Sequence, residues 1–193
     1  MRPLVSFGVL FSPFIPFSFA LGVKIEFLLP RHEEISQNGE YKLIFATEGL
    51  AAGDTPENKV LVAFTKTLAA GKGIKLYVDW HSYGQYILTP YGYSCSAQPA
   101  NQARQSTLSK GLATKIAASY GTKFTVGGGC AALYATTGDS TDYITDVSKA
   151  EFAWTIELRP SSSASNGFVL AASQILPTAI EQWQGMLYLL PTM

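Results

Sequence analysis

Charge, cysteine and histidine are all scarce in this 193-residue chain. Its 14 basic residues are matched by 14 acidic ones, together 15% of the sequence. That balance leaves no electrostatic footprint for nucleic acid and no acidic tail. Arginine occurs four times, as Arg2, Arg31, Arg104 and Arg159. The two cysteines, Cys95 and Cys130, have no C-x-x-C spacing and so exclude the common metal and redox motifs. In an oxidising compartment they can close a loop of about 35 residues. The alternative is a pair of buried free thiols. Three consecutive glycines, Gly127 to Gly129, lack the spacing of a phosphate-cradling loop and are not expected to open a helix, which argues against nucleotide binding. Glycine and aromatic residues are plentiful, as in an α/β protein with many tight turns, and the length suits one domain with a proper core.

One segment departs from this pattern. Residues 3 to 23 carry no charge and include Ala20-Leu21-Gly22, a small-x-small ending typical of a secretory signal peptide. The run approaches bilayer-spanning length. Pro13 and Pro16 lie at its centre, however, where an interior proline costs a helix about 3 kcal/mol. A signal peptide over residues 1–22 is therefore expected ahead of a membrane anchor, with a translated intron or misjoined exon as a third reading. Residues 23–49 show no organised hydrophobic period, although Val23 to Leu29 has the composition of a strand. Residues 50–193 read as one domain.

Within that domain, Asp54-Thr55-Pro56-Glu57 predicts a helix start, with a capping side chain, a proline in the first turn and an acid near the positive end. Val60, Leu61, Phe64 and Leu68 then share a face, and Gly71 is a stop. Core strands are predicted over Ile74 to Trp80 and Phe152 to Leu158, with shorter strands at Tyr86 to Thr89 and Lys123 to Val126. A helix from Asn101 to Ser119 places Leu108, Leu112, Ile116 and Tyr120 in register, and a short one covers Ser140 to Asp146. The last helix, Pro177 to Leu190, is expected to bury Leu176, Ala179, Ile180, Trp183, Leu187 and Leu190. Strands alternating with helices predict an α/β three-layer sandwich around a mixed, largely parallel sheet.

Candidate chemistry gathers at strand ends and loops. His81 leaves the first core strand in Trp80-His81-Ser82-Tyr83-Gly84-Gln85, Glu157 sits at the end of the second, and Tyr134 lies in a loop. Bland readings compete with each: a structural, hydrogen-bonded histidine, and an ion pair between Glu157 and Arg159 or a lysine. The surrounding motifs are informative. Val78-Asp79-Trp80-His81-Ser82-Tyr83-Gly84-Gln85, Pro90-Tyr91-Gly92-Tyr93, Leu133-Tyr134 through Tyr143, Ile156-Glu157-Leu158-Arg159 and Gly167-Phe168 through Ala179 occur in this order. Together they resemble the zinc carboxypeptidases of the pancreatic A/B type, the fungal secreted members most of all.

The resemblance implies that His81 is a zinc ligand and Glu157 the general base that takes a proton from zinc-bound water as it attacks the scissile carbonyl. It implies that Tyr134 hydrogen-bonds the substrate's terminal carboxylate, that Tyr83 lines the cleft, and that Thr141 sits at the base of the side-chain pocket. A neutral residue there favours apolar C-terminal side chains, with Asp139 nearby weighing against. Cys95 and Cys130 occupy loops that some members join by a disulfide. The family's His-x-x-Glu pair is absent: His32 is followed by Glu33 and Glu34, with no carboxylate three residues on. The Asn-Arg pair that clamps the terminal carboxylate and the arginine that polarises the carbonyl are absent too. The sequence thus predicts the C-terminal portion of a zinc carboxypeptidase fold without its N-terminal strands. It has one zinc ligand of three, peptide or protein C-termini as partners and no nucleic acid or membrane partner. It is expected to be a secreted monomer that does not turn over by itself. A non-catalytic truncated pseudoenzyme or an incomplete gene model is the alternative.

Overall fold

The computed structural model describes Gly53 and residues 55–193. The expected signal peptide, the 23–49 segment, Asp54 and His32 to Glu34 lie outside the described residues.

Four strands form one mixed sheet in the order β1-β4-β2-β3: β1 Leu76–Gly84, β2 Tyr86–Thr89, β3 Thr125–Gly128 and β4 Phe152–Ser161. β1 runs parallel to β4, and β2 parallel to β3, while β2 and β4 are antiparallel. β1 and β2 flank β4 although Gln85 alone separates them. The corner depends on Gly84, whose φ of +147° disfavours any side chain and where a Cβ would lie 2.8 Å from the Tyr86 ring. Both core strands run past their predicted ends, so His81 lies inside β1 rather than at its exit.

Helices cover both faces of the sheet. On one side α2 (Gln102–Tyr120) and α5 (Ile175–Thr192) pack together, closing a core of Ile87, Leu108, Leu112, Ile116, Phe152, Trp154, Ile156, Met186 and Leu189. The fully buried Trp154 donates its indole N–H to Gln105, so its polar atom is satisfied where water cannot reach. On the other side α4 (Ser140–Asp146) packs on β4 and β1. There Ile144, Ala150 and Ala153 form a second cluster with Tyr77. Of the predicted α2 register, Leu108, Leu112 and Ile116 are buried, whereas Tyr120 is exposed. The glycine run behaves differently from expectation: Gly127 and Gly128 end β3, and Gly129 opens the single-turn α3 (Gly129–Ala132).

Two helices are turned relative to their apolar pattern. In α1 (Pro56–Ala70), capped by Thr55 through the Asn58 N–H, Asn58 and Thr65 are buried while Val60 and Phe64 are exposed. Thr65 tolerates burial because its hydroxyl donates to the Val62 carbonyl 3.1 Å away. In α5 the buried face is Thr178, Glu181, Gln182, Gly185, Met186 and Leu189, and the predicted stripe of Leu176, Ile180, Trp183 and Leu187 is exposed. Two interactions set this rotation. Glu181, fully buried, receives Arg159 and the Thr122 hydroxyl. Gly185 faces α2 so closely that a Cβ would sit 2.5 Å from Leu112 Cδ1.

Cys95 and Cys130 are joined in a disulfide across 35 residues, with Cα atoms 4.7 Å apart. It fastens the turn after β2 to α3, where the Cys130 N–H also donates to the Tyr91 carbonyl at 3.0 Å. The same turn is gripped by Asp142 of α4, which accepts from the Gly92 N–H at 3.0 Å and the Tyr93 N–H at 3.1 Å. Burial raises the Asp142 pKa to about 6 from 3.8 against the lowering effect of those two N–H groups.

Replacing both cysteines by serine is expected to lower unfolding free energy by about 2–4 kcal/mol, read by urea denaturation. Because the folded Asp142 pKa lies above the unfolded value, its contribution is greatest below pH 4 and is lost as pH rises through 6. Relative to Asp142→Asn, the wild-type chain should therefore lose on the order of 2–3 kcal/mol between pH 4 and 6.

Candidate active site

His81 and Glu157 are Cα partners across the parallel β1–β4 pair, so their side chains leave the same face of the sheet. Asp79 and Tyr77 precede His81 by two and four residues and share that face. They form a ladder. The His81 Nε2–H donates to Asp79 Oδ1 at 3.0 Å, and Asp79 Oδ2 accepts from Ser140 at the start of α4. Tyr77 also hydrogen-bonds Asp79, and burial together with that carboxylate's charge pushes its phenol up. Because Asp79 is buried and held from α4, it fixes the imidazole with the proton on Nε2 and leaves the Nδ1 lone pair free.

The local field is acidic. Burial lowers the His81 pKa, but the hydrogen bond and charge of Asp79, then the charges of Glu157 and Asp139, outweigh it and shift the group upward. Burial raises Glu157, with His81 pulling it down and Asp79 pushing it up; the net direction is upward. Glu157 Oε2 is buried with no hydrogen-bond partner. Among the described residues Glu157 forms no ion pair with Arg159 or a lysine, and Arg159 is engaged by Glu181, Gln174 and Thr122 instead.

The remaining predicted residues surround this pair unevenly. Thr141 is buried in the first turn of α4, next to the Ser140 that binds Asp79. Tyr83, two residues beyond His81, packs edge-on against Phe168 at 4.9 Å between centroids. Tyr134 lies past α3 and is 67% exposed. Asp79 was passed over by sequence reasoning, although a carboxylate two residues from a strand histidine shares its face and is the signal that finds it.

Zinc takes three protein ligands in catalytic sites. Among the described residues no three histidine, cysteine or acidic side chains are grouped to hold a metal. The site offers one imidazole with a free Nδ1 and one orphaned carboxylate oxygen. The described residues alone therefore do not fit a zinc ion.

A family model described as zinc carboxypeptidase matches residues 33–185. The chain belongs to the zinc carboxypeptidase family. The match begins at residue 33, ahead of the boundary drawn near residue 50. Metallocarboxypeptidase A of Arthroderma otae is 44% identical over 142 residues, covering 74% of this chain and 33% of that protein. Human carboxypeptidase A1 is 37% identical over 139 residues, covering 72% and 32%. The chain thus spans about one third of the length of the curated relatives it matches. Among solved structures, bovine thrombin-activatable fibrinolysis inhibitor in complex with tick carboxypeptidase inhibitor aligns with TM-score 0.67 and 29% identity, over 75% of this chain and 47% of that one. Carboxypeptidase A from Helicoverpa armigera gives 0.65 and 27%, over 74% and 35%. These structures share the α/β sandwich of this member of the family.

Asp79→Asn removes both the charge and the strong acceptor that raise His81. The His81 pKa is expected to fall in the variant and its neutral tautomers to mix, as read by ¹⁵N chemical shifts of the imidazole during a pH titration.

Proposed function

We propose that this chain carries the base-bearing part of a zinc metallocarboxypeptidase site, directed at the C-terminal peptide bond of peptides and proteins, and that it does not turn over by itself. One observation supports the reading above all: the buried Glu157 carboxylate, raised in pKa, with an unpartnered oxygen in register with His81. A base needs a pKa closer to working pH and a lone pair not already engaged, and Glu157 has both. Its role is to accept a proton from the water that attacks the scissile carbonyl and to deliver it to the departing amine. His81, oriented by Asp79, presents Nδ1 as one metal ligand.

Zinc in this family is expected to supply Lewis acidity at the scissile carbonyl when all its ligands are present. Tyr134, exposed on its loop, donates its hydroxyl to the terminal carboxylate. Tyr83 forms a side wall and Thr141 the floor of a pocket suited to apolar C-terminal side chains. The disulfide supports export to an oxidising compartment, where the chain is expected to act as a monomer. No helix among the described residues is long and apolar enough to cross a membrane. A second reading, a non-catalytic remnant that binds peptide C-termini weakly, is favoured by the lack of three grouped ligands among the described residues.

Incubating the full chain with an N-blocked dipeptide ending in phenylalanine should release no more phenylalanine than buffer, with or without added Zn²⁺. Calorimetry should show no one-to-one zinc binding that His81→Ala removes. Zinc-dependent release abolished by Glu157→Gln overturns the claim of no turnover and assigns the missing ligands to residues outside 55–193.

A further inference from the structure

α4 is gripped on two sides, each time by residues one helical turn apart. Ser140 and Ile144 face the sheet: the Ser140 hydroxyl donates to Asp79, and Ile144 packs with Ala153. Asp142 and Asp146 face the turn after β2. The Asp142 carboxylate accepts the Gly92 N–H on both oxygens, at 3.1 and 3.0 Å, and the Tyr93 N–H on Oδ2 at 3.1 Å. Asp146 accepts the Tyr91 phenol on Oδ1 at 2.8 Å and the Tyr93 phenol on Oδ2 at 3.3 Å. Hydrogen bonds to a carboxylate are roughly twice as strong as neutral ones, and Gly92 and Asp142 are both buried. The grip on the turn is firm.

The loop that carries Tyr134 is tied to the same turn. The Thr136 N–H donates to the Gly92 carbonyl at 3.0 Å, and the Thr136 hydroxyl donates to Asp139, the residue that precedes α4. No side chain fits at Gly92, where a Cβ would collide with Asp139 Oδ2 and Thr136 Oγ1. The links from the loop to the imidazole are therefore continuous. Thr136 holds Gly92, Gly92 holds Asp142, and two residues of helix backbone join Asp142 to Ser140. Ser140 then holds Asp79, and Asp79 holds His81.

We propose that Asp142 is a positioning residue, and that α4 couples the loop bearing Tyr134 to the orientation of the His81 imidazole. The seven residues of α4 span only about 10 Å, so both grips share about two turns of one helix. Rigid elements held at two places carry a displacement from one to the other. Releasing the turn lets α4 re-seat, and Ser140 then takes Asp79 and its imidazole along. What the coupling achieves rests on the peptidase reading: a peptide C-terminus that engages Tyr134 also steadies His81. The coupling itself needs no turnover, and its test is blind to turnover, so either can fail alone.

Two readouts on the full chain at one fixed pH test it: amide exchange at Thr136, and the imidazole ¹⁵N shifts of His81. The chain has two histidines, so His32→Gln assigns the signals. Asp142→Ala should speed Thr136 exchange about tenfold or more, while amides of β4 and α2 keep their protection. It should also move the His81 shifts in the direction that Ser140→Ala moves them. Added to Ser140→Ala, it should move them no further, since that link is already cut. Unmoved His81 shifts beside a faster Thr136 amide make the clamp local and overturn the coupling. Thr136 exchange at the wild-type rate overturns the positioning role, and additive shifts in the double variant overturn the route through Ser140. Should Asp142→Ala also strip β4 and α2 of protection, Asp142→Asn takes its place, keeping a carbonyl acceptor and removing the charge. Smaller changes of the same sign are expected there, and an unmoved His81 overturns the proposal equally.

Discussion

A slip of one residue between β1 and β4 would send His81 and Glu157 to opposite faces of the sheet, because strand side chains alternate. The register that keeps them together is maintained far from the site. Phe152, Trp154 and Ile156 of β4 are fully buried against α2 and α5, and Ala153 against the α4 side, so both faces of this central strand resist sliding. Trp154 adds a directional element through Gln105, which also donates to Asn101 at 3.1 Å. β1 inherits its position from β4 over Leu76 to Ser82, with the register changing only past that point, before Gly84. The active face is thus placed by packing on the opposite face.

The same core explains the odd orientation of α5. Burying its leucine stripe would require turning Glu181 and Gly185 outward. Arg159, already desolvated at the end of β4, would then lose its carboxylate, and an unpaired buried charge is among the costliest changes a fold can suffer. The helix instead keeps the ion pair and the close approach at Gly185, and leaves Leu176, Ile180, Trp183 and Leu187 outside. Since Arg159 adjoins Glu157 along β4, the arrangement also frees Glu157 from a neighbouring guanidinium. Packing on one side therefore sets the electrostatics on the other: with Arg159 drawn away, burial dominates Glu157 and raises it.

How far the sequence could be read followed from how local each determinant was. β2, α4 and the approximate limits of α2 and α5 were legible because period and capping act over a few residues. That His81 and Glu157 belong to one site was implied by the family resemblance, whereas their partnership across the β1–β4 pair was not legible in the sequence. The inward face of α5 was not, since hydrophobic periodicity assumes that the apolar stripe is the buried one. A contact between Arg159 and Glu181, 22 residues apart, overrode it. Burial of Thr65 in α1 was hidden for a related reason: its hydroxyl is satisfied within its own helix, which no apolar count reveals. The role of Asp79 was within reach, because two-residue spacing on a strand is sufficient to place it beside His81.

Asp79 bears on how the site keeps its shape. The imidazole is held by a carboxylate that is anchored in turn by Ser140 from α4 and by Tyr77 from β1. Glu157 is held by its strand position between β1 and β2, opposite His81 on one side and Tyr86 on the other. The fold therefore fixes the relative geometry of His81 and Glu157 through protein contacts on both strands, with α4 holding one and the β1–β2 neighbours the other.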